Sequence, residues 1–107
     1  MMKLTGKYNS EAALEKGVTK KLKEVGVLGY KFSSPNQRGV PDRLYIARHD
    51  NVIFCEFKNP LNKGKLSELQ KVVIRDMREN GADVWVVGSI ETAEKFMNYV
   101  YLVHNNA

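Results

Sequence analysis

Two carboxylates and one ammonium stand out because they sit in or at the ends of runs that are otherwise apolar. They are Asp42, closing the segment GVPD that begins at Gly39, and Glu56 and Lys58, near the end of the run VIFCEFK. Residues two apart on a strand share a face, so Glu56 and Lys58 project the same way, about 6 to 7 Å apart. The runs Asp42 to Ala47 and Val52 to Lys58 are both β-prone, and the polar turn around His49, Asp50 and Asn51 between them predicts a hairpin. With the turn centred near Asp50, the pairing brings Asp42 alongside Glu56 and Lys58.

Two carboxylates brought together on a largely apolar strand repel each other, and one lysine offsets only part of that cost. A divalent cation resolves the conflict. Mg²⁺ takes hard oxygen ligands, one or two carboxylates with water and substrate phosphate, which Asp42 and Glu56 can offer, with the peptide carbonyl of Phe57 as a further oxygen. Such an ion polarises a phosphodiester and lowers the pKa of a bound water. Lys58 can orient that water, act as a base, or stabilise charge in the transition state; the sequence leaves these roles open. A plain structural reading stands beside this one: an acid, any residue and a lysine is a frequent tripeptide, and strand ends often carry cross-strand ion pairs.

The elements that must position these groups follow from periodicity and punctuation. Ser10 is a candidate N-cap for a helix to about Val25, with Leu14, Val18, Leu22 and Val25 as its buried stripe and Lys16, Lys20 and Lys23 together on another face. Residues 1 to 9 carry no periodic pattern. Leu28 to Ser33 reads as a first strand, and Ser33 to Gly39 as a polar loop. The two hairpin strands are apolar on both faces, the pattern of central strands covered by helices on each side. Asn59 to Leu66, with Pro60 and Gly64, is a loop. Ser67 caps a second helix to about Asn80, with Leu69, Val72, Val73 and Met77 facing inward, and Gly81 closes it. Ala82 to Val87 is a fourth strand. Ser89 begins a third helix with Ile90, Ala93, Met97 and Val100 turned inward. The expected fold is α/β, in the order α-β-β-β-α-β-α, with a mixed sheet flanked by helices in a single domain over residues 1 to 107.

Composition agrees with a folded domain: 43% hydrophobic and 27% charged residues exclude a disordered tail. A formal charge of +5 suits a polyanionic partner. Cys55 is the sole cysteine, so no internal disulfide can form. With no signal peptide and no membrane-spanning run, the expected setting is cytoplasmic, with no membrane partner. His49 and His104 lack partners at metal-ligand spacing, and Tyr30, Tyr45 and Trp85 read as core.

Taken in order, SEAALEKGVTKKL near the start, GVPD, VIFCEFK and LSELQ at Leu66 to Gln70 resemble the VRR-NUC family of PD-(D/E)xK nucleases, over residues 10 to about 98. The resemblance implies a restriction-endonuclease-like αβββαβ core and Mg²⁺- or Mn²⁺-dependent cleavage of DNA. Asp42 and Glu56 match the metal ligands, Lys58 the catalytic lysine, and Gln70 a glutamine on the following helix. Glu11 aligns best with the acid that the first helix contributes, and Glu15 is the second choice. Local explanations exist for both outer members. Ser67 and Gln70 also satisfy a capping box, and Glu11 sits in a helical first turn where an acid is favoured. Glu68 reads as a solvent-facing first-turn acid, while Gln37, Arg38, Arg43, Lys63 and Lys65 flank the centre as candidate phosphate contacts.

Standalone viral members of this family resemble Holliday-junction resolvases. The expectation for this chain is therefore a homodimer that cuts branched DNA, with the apolar segment Tyr99 to Val103 as a candidate interface. The rival is a nucleic-acid-binding module that keeps the fold without turnover.

Overall fold

A computed structural model describes residues 1–61 and 65–106; Lys63, a candidate phosphate contact, and Gly64 of the predicted loop lie outside them. The elements are α1 (Glu11–Glu24), β1 (Leu28–Lys31), β2 (Arg43–Ala47), β3 (Asn51–Phe57), α2 (Glu68–Glu79), β4 (Asp83–Val87) and α3 (Ile90–Asn105), in the predicted α/β order. Each helix begins at a serine that accepts a hydrogen bond from the third residue beyond it: Ser10 from Ala13, Ser67 from Gln70, and Ser89 from Thr92. Each such cap contributes about 1 kcal/mol.

The sheet is mixed, in the spatial order β1-β2-β3-β4. β1, β2 and β3 form an antiparallel meander, and β4 lies parallel to β3 after crossing over through α2. The β2–β3 turn places His49 and Asp50 in the left-handed region, with φ of 66° and 61°, as in the primed turns whose twist matches a hairpin. Asn51 closes it by donating from its side-chain amide to the Arg48 carbonyl.

The two faces of the sheet differ. Tyr45, Ile53, Cys55, Phe57 and Val87 point toward α1 and α3, where they pack with Leu14, Val18, Leu22, Ala93, Phe96, Met97 and Val100, all fully buried. Trp85 stacks against Phe96 and Tyr99 on this side. The segment before α1 is also tied down, since the Met2 and Leu4 amides donate to the side chains of Asn98 and Glu94 on α3.

Among the described residues the opposite face has α2 as its only helix, with Phe32 packed edge-on against Phe54. Leu28, Tyr30, Ile46 and Val52 remain 51%, 52%, 39% and 44% exposed, so the expected helical cover on both faces is only half realised and Tyr30 is not core. α2 itself buries Ile74, while Leu69 and Val72 are exposed. The inward stripe differs from the predicted one because this helix touches the sheet along one narrow line near β4, to which Arg78 holds it by donating to the Val84 carbonyl. On α3, Ile90 is exposed, and Phe96 and His104 complete the buried stripe.

Gly39, in the segment leading to Asp42, has φ of +91°, and a Cβ there would lie 3.1 Å from Leu69 Cγ and Val73 Cγ2 on α2. Both the conformation and the space select glycine. Gly39→Ala is expected to cost about 1–3 kcal/mol, seen as a lower urea midpoint at unchanged slope.

Candidate active site

Arg43 pairs with Cys55, Tyr45 with Ile53 and Ala47 with Asn51. Continued by one residue, this register sets Asp42 opposite Glu56 and on the same face, which is the α2 face by alternation. Main-chain pairing to the outer neighbours reaches both strand ends: the Asp42 carbonyl accepts from the Phe32 amide on the β1 side at 2.9 Å, and the Lys58 amide donates to Val87 O on the β4 side at 2.8 Å. Lys58 therefore stays in the ladder, and its side chain lies on the same face as Glu56.

A chain of polar contacts joins the strand end to α2. Gln70 donates from Nε2 to Glu56 Oε2 at 3.1 Å, and its Oε1 accepts from Lys58 Nζ at 2.8 Å. Lys58 Nζ also lies 3.4 Å from Glu56 Oε2. The same Gln70 oxygen accepts from the Ser67 amide at 2.9 Å, completing the capping box. One side chain thus closes the capping box and also contacts Glu56 and Lys58. Closing the helix end fixes the amide plane, and the fixed plane addresses one acid and one amine.

The electrostatics are those of crowded acids. Asp42 is pushed up from 3.8 to about 6, first by burial, then by the negative charges of Glu56, Glu15 and Glu11. Glu56 is raised by burial and by Glu11, against the opposing pull of Lys58 and of the Asp42 main chain. Oδ1 of Asp42 is buried without a hydrogen-bond partner among the described residues. An acceptor with no donor, beside a second buried carboxylate, is a donor set that fits a hard divalent cation. Among the described residues, no three His, Cys, Asp or Glu side chains already form a metal-holding cluster. The fit therefore rests on two carboxylates, a number that suffices for Mg²⁺ when water and phosphate supply the rest.

The helical acids separate. Glu15 is buried and engaged, receiving Arg43 Nε at 2.5 Å and Lys31 Nζ at 3.2 Å. Glu11, in the first turn of α1, is exposed, and its charge acts on both Asp42 and Glu56. Arg43 is accordingly not a loop cation beside the centre: it is a strand residue turned to the α1 face and held by Glu15. That pair spans 28 residues and left no local signal in the sequence. Gln37, Arg38 and Lys65 are exposed, and Glu68 points to solvent where it pairs with Lys71.

Comparison with known proteins bears on the fold and the family. No family model matches the chain. A phage protein, "Putative nuclease p44" of Acyrthosiphon pisum secondary endosymbiont phage 1, is 42% identical over 53 residues, which are 50% of this chain and 57% of that protein. The chain thus spans just over half the length of that relative. A solved structure described as a VRR_NUC domain superposes with a TM-score of 0.76 at 29% identity, covering 83% of this chain and 95% of that one. Fold and sequence together bear out the VRR-NUC resemblance carried by the motifs.

A carboxyl raised from 3.8 to about 6 takes up a proton on folding between those values. Its contribution to stability is therefore greatest below the lower value and falls as pH rises through the upper one. Asp42→Asn removes this cost. In EDTA at neutral pH the variant should be more stable by about 1 kcal/mol after allowing for solvent screening, a gain of about 4 °C in Tm. The gain should vanish below about pH 4. Thermal melts across this range check it, and a variant no more stable at neutral pH would show that the two acids do not strain the fold.

Proposed function

We propose that this member of the VRR-NUC family is a metal-dependent DNA endonuclease whose centre is built from Asp42, Glu56, Lys58, Gln70 and Glu11. The observation that carries the reading is the bond chain Glu56–Gln70–Lys58 at the end of β3, beside a buried Asp42 oxygen that nothing among the described residues donates to. Asp42, Glu56 and the Phe57 carbonyl would hold Mg²⁺ or Mn²⁺, with Glu11 as the further acid from α1. When bound, the ion supplies charge neutralisation for the carboxylates and the phosphate and lowers the pKa of the attacking water.

The chain's own residues do the remaining work. Lys58, held by Gln70 and Glu56, presents an ammonium to the phosphate oxygens as negative charge builds on them. Gln70 keeps the Glu56 carboxylate oriented, so little reorganisation is needed at the moment of reaction. Water adds to phosphorus, one ester P–O bond breaks, and the proton lost by water ends on the departing oxygen. A DNA substrate implies a cytoplasmic setting. Selectivity for branched DNA such as Holliday junctions would come from a homodimer offering two such centres. Tyr101 and Leu102 are the exposed members of the Tyr99–Val103 segment, because Val100 is core and Tyr99 packs on Trp85.

With Mg²⁺ or Mn²⁺ the protein should cut DNA, EDTA should abolish cutting, and Lys58→Ala should slow it about 10²- to 10³-fold. Binding without cleavage under any metal would instead support the non-catalytic module. A split between two variants tests Gln70: Ser67→Ala should cost about 1 kcal/mol of stability with cleavage nearly unchanged, while Gln70→Ala should cost a similar stability and slow cleavage about 10- to 100-fold. Faster cutting of four-way than linear DNA, with a dimer in sedimentation, is expected; a monomer cutting both equally would refute the branched-DNA reading.

A further inference from the structure

The positive charge of this chain is unevenly placed. An open cleft of about 530 Å³ between α1 and the edge strand β1 is lined by Lys16, Lys20, Lys23, Lys31 and Arg43, with Glu15 as its sole acid. Five cations against one carboxylate leave an excess of four, compared with +5 for the whole chain. Glu15 is consumed internally by Arg43 and Lys31. Among the described residues, Lys16, Lys20 and Lys23 are exposed and make no ion pair. Like charges four apart on a helix destabilise it by a few tenths of a kcal/mol, so folding gains nothing from the Lys16–Lys20 pair, while Lys23 gains only from its place in the last turn.

We propose that this cleft is a track for the phosphodiester backbone of the nucleic acid on the α1 side of the cutting centre. It rests on the nuclease reading and extends it to where the substrate lies. The cleft opens on the α1 face and the acids lie on the α2 face, so the two meet at the strand ends, where Arg43 follows Asp42 in the chain, Lys31 pairs with Arg43 across the sheet and α1 starts at Glu11. A nucleic-acid strand would pass from one to the other around that end. From there the lysines lead away. Lys16 to Lys23 covers about 10 Å of helix axis at 1.5 Å per residue, close to three nucleotides of one strand at 3.4 Å each. The ammonium groups are strung along an open surface instead of converging on one point, which suits a polymer of phosphates over a single small anion. Arg43, already paired, offsets the charge of Glu15 in the wall of the track.

The test is binding of a short duplex DNA by fluorescence anisotropy in EDTA, where no turnover occurs, over a range of salt. Lys20→Gln with Lys23→Gln should weaken binding about tenfold and lower the slope of log affinity against log salt by about two, one unit for each phosphate that a lysine no longer neutralises. A control with the same loss of charge, Lys3→Gln with Lys95→Gln on the α3 side, should change the slope by much less. Thermal melts of both variants confirm folding. Equal losses in the two variants, reducing the effect to net charge, or native binding by the α1 variant would overturn the proposal. Because binding is scored without cleavage, a chain that proved inactive on every DNA would leave this result readable and would sink only the nuclease reading.

Discussion

Everything at the centre depends on the register of one hairpin. A strand's side chains alternate between faces, so a slip of one residue between β2 and β3 would send Asp42 or Glu56 to the wrong side of the sheet. The register is pinned twice. At the turn, His49 and Asp50 accept the left-handed backbone that joins the strands with the right twist. Along the strands, Tyr45, Ile53, Cys55 and Phe57 are fully buried against α1 and α3, so a slip would exchange them for the polar or exposed residues beside them. Tyr45 adds a polar lock, its hydroxyl lying 2.7 Å from Thr19 Oγ1 on α1.

Given that register, the acids are placed where folding alone would not put them. Asp42 and Glu56 are both raised from their ordinary values, chiefly by burial, a destabilising arrangement that the buried α1/α3 face must offset. Glu15 shows the contrast. It is buried more completely than Asp42, yet it meets Arg43 and Lys31 and so belongs to the packing of α1 on the sheet. Two acids four residues apart on one helix thus serve different ends: Glu15 fastens the helix, and Glu11 is left facing the strained pair.

Much of this was legible in the chain. The three serine caps, the hairpin, the order of the elements and the same-face placement of Glu56 and Lys58 are local or periodic properties, and each is found as read. What was hidden is non-local. Nothing near Arg43 in sequence announces that Glu15 claims it, and nothing in LQKVVIRDM says that Ile74 is buried while Leu69 and Val72 are not. Apolar periodicity shows that a helix has an inward face but not how much of that face its neighbour can reach. Tyr30, on the edge strand β1, and Ile90, in the first turn of α3, likewise lie at the margins of the packed region and are exposed. Gln70 is a different case: a capping box was a sufficient local explanation, and only the positions of Glu56 and Lys58 reveal that the same amide serves both.

The two faces of β3 explain how a chain of this size carries strained acids. Ile53, Cys55 and Phe57 anchor one side, while Val52, Phe54 and Glu56 alternate onto the other, where α2 is the only helix among the described residues and Phe32 packs on Phe54. Core and chemistry therefore use the same residues' backbone but different side chains. Substitutions on the α2 face leave the buried cluster intact, and the hydrophobic contribution of about 1.5–3 kcal/mol per large buried side chain stays on the α1/α3 face. The consequence is an exposed apolar stretch from Leu28 to Val52 that a fully covered sheet would not have. Shielding the acids with a second helix over β1 and β2 would remove that stretch, but it would also close the face on which Asp42 and Glu56 lie. An open face is what the proposed polymer substrate would require, and the incomplete cover is compatible with it.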